Sequence, residues 1–246
     1  MLRVLLLTLA LSLSMAVHGA DADPVSRVSA ALEKVLPPGM KPDRIVESRL
    51  PGLYEVMIGS RLLYVSADGK YLFVGSGDLI DLESMENLSD QRRRELVLAA
   101  VAAVDEKDMI VIGPADAKRT LTVFTDVDCP YCAKFHLEVP RLVENGVKVR
   151  YLLYPRAGLR GRTYQRSIAV WCAEDRVEAI GIAKAGRELE MKTCDNPVAE
   201  HYKAGQNAGV TGTPTIVVDN GDIIGGYRPA DQMLAILGIK AKTAAK

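Results

Sequence analysis

Two cysteines one helical turn apart, Cys129-Pro130-Tyr131-Cys132, are the residues here whose types and spacing can do chemistry. A thiolate attacks disulfides, and a second thiol within reach can displace whatever the first has captured. The run before them, Leu121 to Phe124, is apolar and β-branched and predicts a strand. After them Cys132, Phe135, Val139, Leu142 and Val143 recur at helical spacing. A strand-to-helix junction sets the first sulfur over the free N–H groups and positive dipole end of a helix, which favours thiolate. Pro130 suits the first helical position, where no intrahelical N–H bond is lost. Cys132 then shares a face with Cys129. The predicted chemistry is thiol–disulfide exchange, with Cys129 as a solvent-accessible nucleophile.

Other uses of the pair fit less well. A zinc site asks for a second CxxC or a His pair at ligand spacing. The remaining cysteines, Cys172 and Cys194, have 21 residues between them, and His136 and His201 complete no ligand set. No metal or cofactor is therefore expected. A purely structural Cys129–Cys132 disulfide suits a helix start poorly, because a low-pKa leaving thiol makes the bond easy to reduce.

The chain has 246 residues, 48% hydrophobic and 25% charged, enough for a real core in one or two domains. Residues 1–20 stand apart: a basic start at Arg3, an uncharged apolar run from Val4 to Val17, then small residues at Gly19-Ala20. That pattern predicts a secretory signal. Without Arg3 the chain carries 30 basic against 31 acidic groups, and no basic block suits nucleic acid. An even four cysteines in an exported chain fit an oxidising compartment, best a bacterial periplasm.

Stepping outward, residues 21–87 predict a small α+β unit. Asp23-Pro24 starts a helix with an apolar stripe of Val25, Val28, Leu32 and Val35, stopped by Pro37-Pro38-Gly39. Strands Leu53–Ile58 and Arg61–Val65 flank Gly59-Ser60, a type II′ hairpin signal, and Asp68-Gly69 turns the chain into Tyr71–Val74. So small a core, with open strand edges, asks for a second subunit. Residues 88–108 predict a helical linker capped by Ser89, with Arg92, Arg93 and Arg94 on a wet face, holding its flanks apart.

From 109 to 246 the pattern becomes βαβ, with strand Val147–Tyr154 after the CxxC helix. A helical region follows from about Thr163 to Leu189, then a helix near Val198–Ala208. Gly212-Thr213-Pro214-Thr215 leads into strand Ile216–Val218, the Asn220-Gly221 hairpin, strand Ile223–Gly225 and a last helix near Ala230–Leu237.

A CxxC between strand and helix, with Thr213-Pro214 ahead of a later strand, resembles the thioredoxin fold. That likeness implies a cis Thr213–Pro214 bond lying against the CxxC, where Thr213, Pro214, Pro130 and Tyr131 would meet an extended client segment. Signal, hairpin unit, helical linker and Phe124-Thr-Asp126 running into CxxC resemble the DsbC family of periplasmic disulfide isomerases. Val149-Arg-Tyr151, Tyr154-Pro-Arg156, Trp171-Cys-Ala173, Gly209 to Pro214 and Gly226-Tyr-Arg-Pro229 extend the resemblance over nearly the whole mature chain. The implied architecture is an N-terminal dimerisation domain, the linker, and a thioredoxin-like α/β domain with inserted helices.

Two departures stand out. The dipeptide is Pro130-Tyr131 where the family has Gly-Tyr, so a redox potential does not transfer. Thioredoxin's buried acid, six residues before the first cysteine, is here Val123. Asp126 and Asp128 read as solvated or helix-capping, and His136 as a helix-surface residue.

The resemblance implies a V-shaped homodimer whose cleft holds misoxidised exported proteins, with Cys129 attacking, Cys132 resolving, and a membrane reductant, DsbD, keeping the pair reduced. Cys172 and Cys194 read as a structural disulfide closing about 20 residues, worth about 3 kcal/mol on the chain-entropy account. A second redox pair is the other reading, though neither cysteine begins a convincing helix. The rival functions are a DsbG-like reductase of oxidised cysteines, an oxidant, and a holdase that binds unfolded chains without redox chemistry.

Overall fold

A computed structural model describes residues 23–73 and 77–242; the expected signal at 1–20 lies outside them. Alternating apolar residues build a four-stranded antiparallel sheet in the order β1 (Arg44–Glu47), β2 (Leu53–Ile58), β3 (Arg61–Ser66), β4 (Leu72–Phe73). Gly59 takes φ +59° at the first position of the β2–β3 turn, a conformation only glycine adopts freely. Helix α1 (Pro24–Leu32) is capped by Asp23, whose carboxylate accepts from Ser26 N at 3.2 Å. Val28 and Leu32 close a small core over Tyr54, Val56 and Val65. The expected stripe is cut short: the helix ends at Leu32, and Val25 and Val35 face solvent.

The second sheet runs β5 (Ile110–Ile112), β7 (Val147–Leu153), β6 (Arg119–Thr125), β8 (Thr215–Val218), β9 (Ile223–Gly225). Only β6 and β7 pair in parallel, joined across α3 (Pro130–Glu144), the helix that opens with the CxxC. Leu121, Val123, Phe135, Val139, Leu142, Tyr151 and Ile216 form the centre of its core. The helical region expected from about Thr163 to Leu189 consists of two helices, α4 (Arg162–Trp171) and α5 (Arg176–Lys184). Asp175 breaks them, because its carboxylate accepts from Val177 N and Glu178 N, both at 2.9 Å, and so starts a new helix. Cys172 and Cys194 are disulfide-bonded, tying the end of α4 to the loop before α6 (Val198–Asn207). Helix α7 (Ala230–Ile236) closes the fold against α3.

Between the sheets lies α2 (Leu88–Ala102), and here the sequence reading needs correction. Its cap is Asn87, which accepts from Asp90 N at 2.9 Å. Ser89 is buried instead, its hydroxyl 2.8 Å from Tyr64 Oη and accepting from Leu79 N. The three arginines are not a bare wet face: Arg92 pairs with Glu55 of β2, Arg93 with Asp78, and Arg94 with Asp222 beside β9. Nor is the helix a free spacer. Val97, Ala100, Val101 and Val104 pack with Phe124, Leu152, Tyr154, Ala204 and Ala208, because so apolar a stripe is costly to leave in water.

Candidate functional site

The site begins where β6 ends. Its last residue, Thr125, is buried, and Asp126 turns the chain towards Cys129, the N-cap residue of α3. Pro130 holds the first helical position. From the far side the Thr213–Pro214 bond is cis and its loop covers the sulfur, which lies 3.4 Å from the Thr213 carbonyl oxygen. Cys129 and Cys132 are both free thiols.

Cys129 was expected to lie open to solvent, yet it is only 2% exposed. Thr213, itself half-buried, makes the contact over the sulfur, while Pro130 and Tyr131 beside it are exposed, Tyr131 to 59%. A client must therefore displace the Thr213 contact to reach the sulfur. Burial pushes the Cys129 thiol up, but Thr213 and the N–H groups of Cys132 and Tyr131 outweigh it, leaving the thiol below its ordinary value. The Thr213 hydroxyl has no other partner and faces both sulfurs, whereas its carbonyl accepts from the thiol and favours the protonated form. The Thr213 hydroxyl is the largest of the opposing influences, and the helix-start N–H groups of Cys132 and Tyr131 add to it. Cys132 behaves oppositely: it sits one turn deeper, and burial pushes its thiol up.

The two aspartates are not simply solvated. Asp126 is buried and accepts from Asp128 N at 2.8 Å, Arg156 N at 2.9 Å and Arg156 Nε at 3.1 Å. Asp128 accepts from Thr163 Oγ1 at 2.7 Å and pairs with Arg166. His136 is half-buried, 3.0 Å from Tyr151 Oη, and burial, with Lys184 nearby, pulls its imidazole down to about 4. Val123 is wholly buried in β6, so no carboxylate stands there.

The chain matches the thioredoxin-like domain over residues 106–239 and the disulfide bond isomerase protein N-terminal domain over residues 16–90. It is 36% identical over 199 residues to the thiol:disulfide interchange protein DsbC of Salmonella typhimurium, spanning 81% of this chain and 82% of that protein. The protein of the same name from Dickeya dadantii is 31% identical over 235 residues, spanning 96% and 94%. The chain belongs to the DsbC family. Its enzyme class is accordingly that of the thiol–disulfide oxidoreductases and isomerases. The thiol-disulfide exchange protein alpha-DsbA2 of Wolbachia pipientis shares the fold alone: 10% identity, TM-score 0.50, with 62% of this chain and 98% of that one covered.

One residue of this DsbC-family site is missed by the sequence reading altogether. Lys184, the last residue of α5, is 8% exposed and donates to Thr125 Oγ1 at 2.6 Å. A signal existed in the spacing, since Lys184 follows buried Ile180 by one helical turn. Among the described residues no cluster of three or more His, Cys, Asp or Glu side chains is placed to hold a metal ion.

Proposed function

We propose that the chain is a periplasmic disulfide isomerase acting on misoxidised exported proteins through Cys129. The observation that carries this reading is the seat of Cys129 at the start of α3, its thiol held below the ordinary value, beneath a cis-proline loop. A client strand adding to the Thr213–Pro214 backbone, beside Pro130 and Tyr131, brings its disulfide to the sulfur. Cys129 thiolate attacks one client sulfur, and the other leaves as a thiolate. Return attack by a client thiol on the mixed disulfide reshuffles the client and frees Cys129. Attack by Cys132 instead reduces the client and oxidises the pair, which a membrane thiol reductant of the DsbD kind then restores. The same branch makes a reductase the second reading, favoured by the closeness of the two thiols.

Domain roles follow the same reading: residues 1–20 export the chain, 21–87 pair two copies, 88–108 link, and 109–246 carry the chemistry. No helix among the described residues is long and apolar enough to cross a membrane. Refolding of a scrambled multi-disulfide protein tests the proposal. Recovery with wild type, none with Cys129→Ser, and trapped adducts with Cys132→Ser are expected. Equal recovery with Cys129→Ser would instead indicate a holdase and overturn the reading.

A further inference from the structure

The mechanism above leaves one buried charge unused. Lys184 projects from the end of α5 into the space behind the CxxC, with Nζ 2.6 Å from Thr125 Oγ1, 3.5 Å from the Asp126 carbonyl oxygen and 5.5 Å from the centre of the Tyr151 ring. A buried ammonium ordinarily demands a carboxylate. The two nearby are engaged elsewhere, Asp126 by Arg156 and Asp128 by Arg166 and Thr163. Every other group facing Lys184 is accounted for. Cys132 and His136 come from α3, Tyr151 from β7 and Arg166 from α4, while β5 offers only Ile110, Val111 and Ile112. His136 is neutral at working pH, and Tyr151 keeps its proton because burial raises it. Cys129 also acts on Lys184, but once bonded to a client it carries no charge, and among the described residues that leaves the Cys132 thiolate as the anion available to this cation.

Thr125 supplies the path. Its hydroxyl accepts from Lys184 and is left with its own proton to donate, and it faces the Cys132 sulfur. Burial favours the neutral form of each partner, pushing the amine down to about 8 and the thiol up. Neither ionises cheaply alone, whereas ammonium and thiolate together stabilise one another.

We propose that Lys184 is the charge partner of Cys132: its ammonium donates to the Thr125 hydroxyl, which in turn donates to the Cys132 sulfur and stabilises its thiolate as Cys132 attacks the disulfide between Cys129 and its client. The Cys132–Cys129 bond forms and the Cys129–client bond breaks. The electron pair leaves on the client sulfur, so the client is reduced and the pair oxidised. The proton that Cys132 has given up is balanced by the one the departing client thiolate takes up, and Lys184 and Thr125 keep theirs. Lys184 acts through Thr125 and is thus a positioning residue that sets how readily Cys132 resolves, and so how the enzyme divides between isomerising and reducing. The inference rests on Cys129 being the attacking thiol.

Stopped-flow reaction of the reduced full chain with dithiobis(nitrobenzoate) separates the steps. A first release of the coloured thiol reports attack by Cys129, and a second reports attack by Cys132 on the adduct. From about pH 5 to about pH 10 the second phase should follow Cys132 ionisation. Lys184→Met, similar in length and unbranched, should move its half-maximal pH up by about one unit and slow it roughly tenfold at about pH 7, with the rates converging at high pH. Thr125→Val should do the same, and Thr125→Ser should restore the wild-type profile. If Lys184→Met does not fold by circular dichroism, the two Thr125 variants decide alone. An unchanged second-phase profile in the folded variants would overturn the proposal. Absence of the first phase in wild type would remove the Cys129 reading, and this inference with it.

Discussion

At the scale of single residues the site works by giving two chemically identical thiols opposite environments. Cys129 meets the Thr213 hydroxyl and fixed N–H donors at a helix start, and Cys132 meets deeper burial beside Lys184 and Thr125. His201 shows the same physics serving stability. It is wholly buried, its Nδ1 accepts from Leu153 N at 3.1 Å, and Nε2 therefore carries the proton it donates to the Asp108 carbonyl at 2.6 Å. Burial pulls this imidazole from 6.5 down to about 4. The unfolded chain takes up a proton below about 6.5 that the folded chain refuses until about 4. His201 thus contributes stability fully above that window and loses it as pH falls through it, on the order of 3 kcal/mol. Urea unfolding at about pH 7 and about pH 5 should show a clear fall for wild type, with His136 adding in the same direction, and a flatter dependence for His201→Gln.

Among the elements, α2 and α6 decide how the catalytic sheet is braced. Gly205 on α6 lies so close to the sheet that a Cβ there would stand 2.5 Å from the Tyr154 ring and 3.1 Å from Phe124. Tyr154 in turn donates to the Val210 carbonyl at 3.2 Å, four residues before the cis proline. Gly205→Ala is expected to cost about 1–3 kcal/mol by overpacking. It should also slow reaction of Cys129 with a small disulfide, because the shifted Tyr154 moves the loop over the sulfur. Denaturation and the burst of coloured thiol measure the two effects separately. Wild-type values in both would mean that the ring yields at no cost.

For the whole molecule, the N-terminal sheet leaves Phe73 59% and Tyr71 66% exposed beside β4, a two-residue edge strand. Apolar residues on an open edge suit pairing with a second copy. Phe73→Lys should lower the mass seen in analytical ultracentrifugation to that of one chain. Recovery of scrambled substrate should fall with it, while the reaction of Cys129 with a small disulfide persists. An unchanged mass would place the subunit contact elsewhere.

The sequence by itself determined the two-sheet plan, the strand-to-helix seat of Cys129 and Cys132, and the hairpins at Gly59 and Gly221. Each is carried by local spacing and by conformations that a few residue types adopt. Tertiary structure alone decided that α2 docks on the catalytic sheet, that Asp126 is buried, that Cys129 lies under the Thr213 loop, and that Lys184 stands behind Cys132. These depend on partners such as Arg156, 30 residues from Asp126, and Thr125, 59 from Lys184. Periodicity reports which face of an element is apolar; it does not report which distant polar group that face will meet.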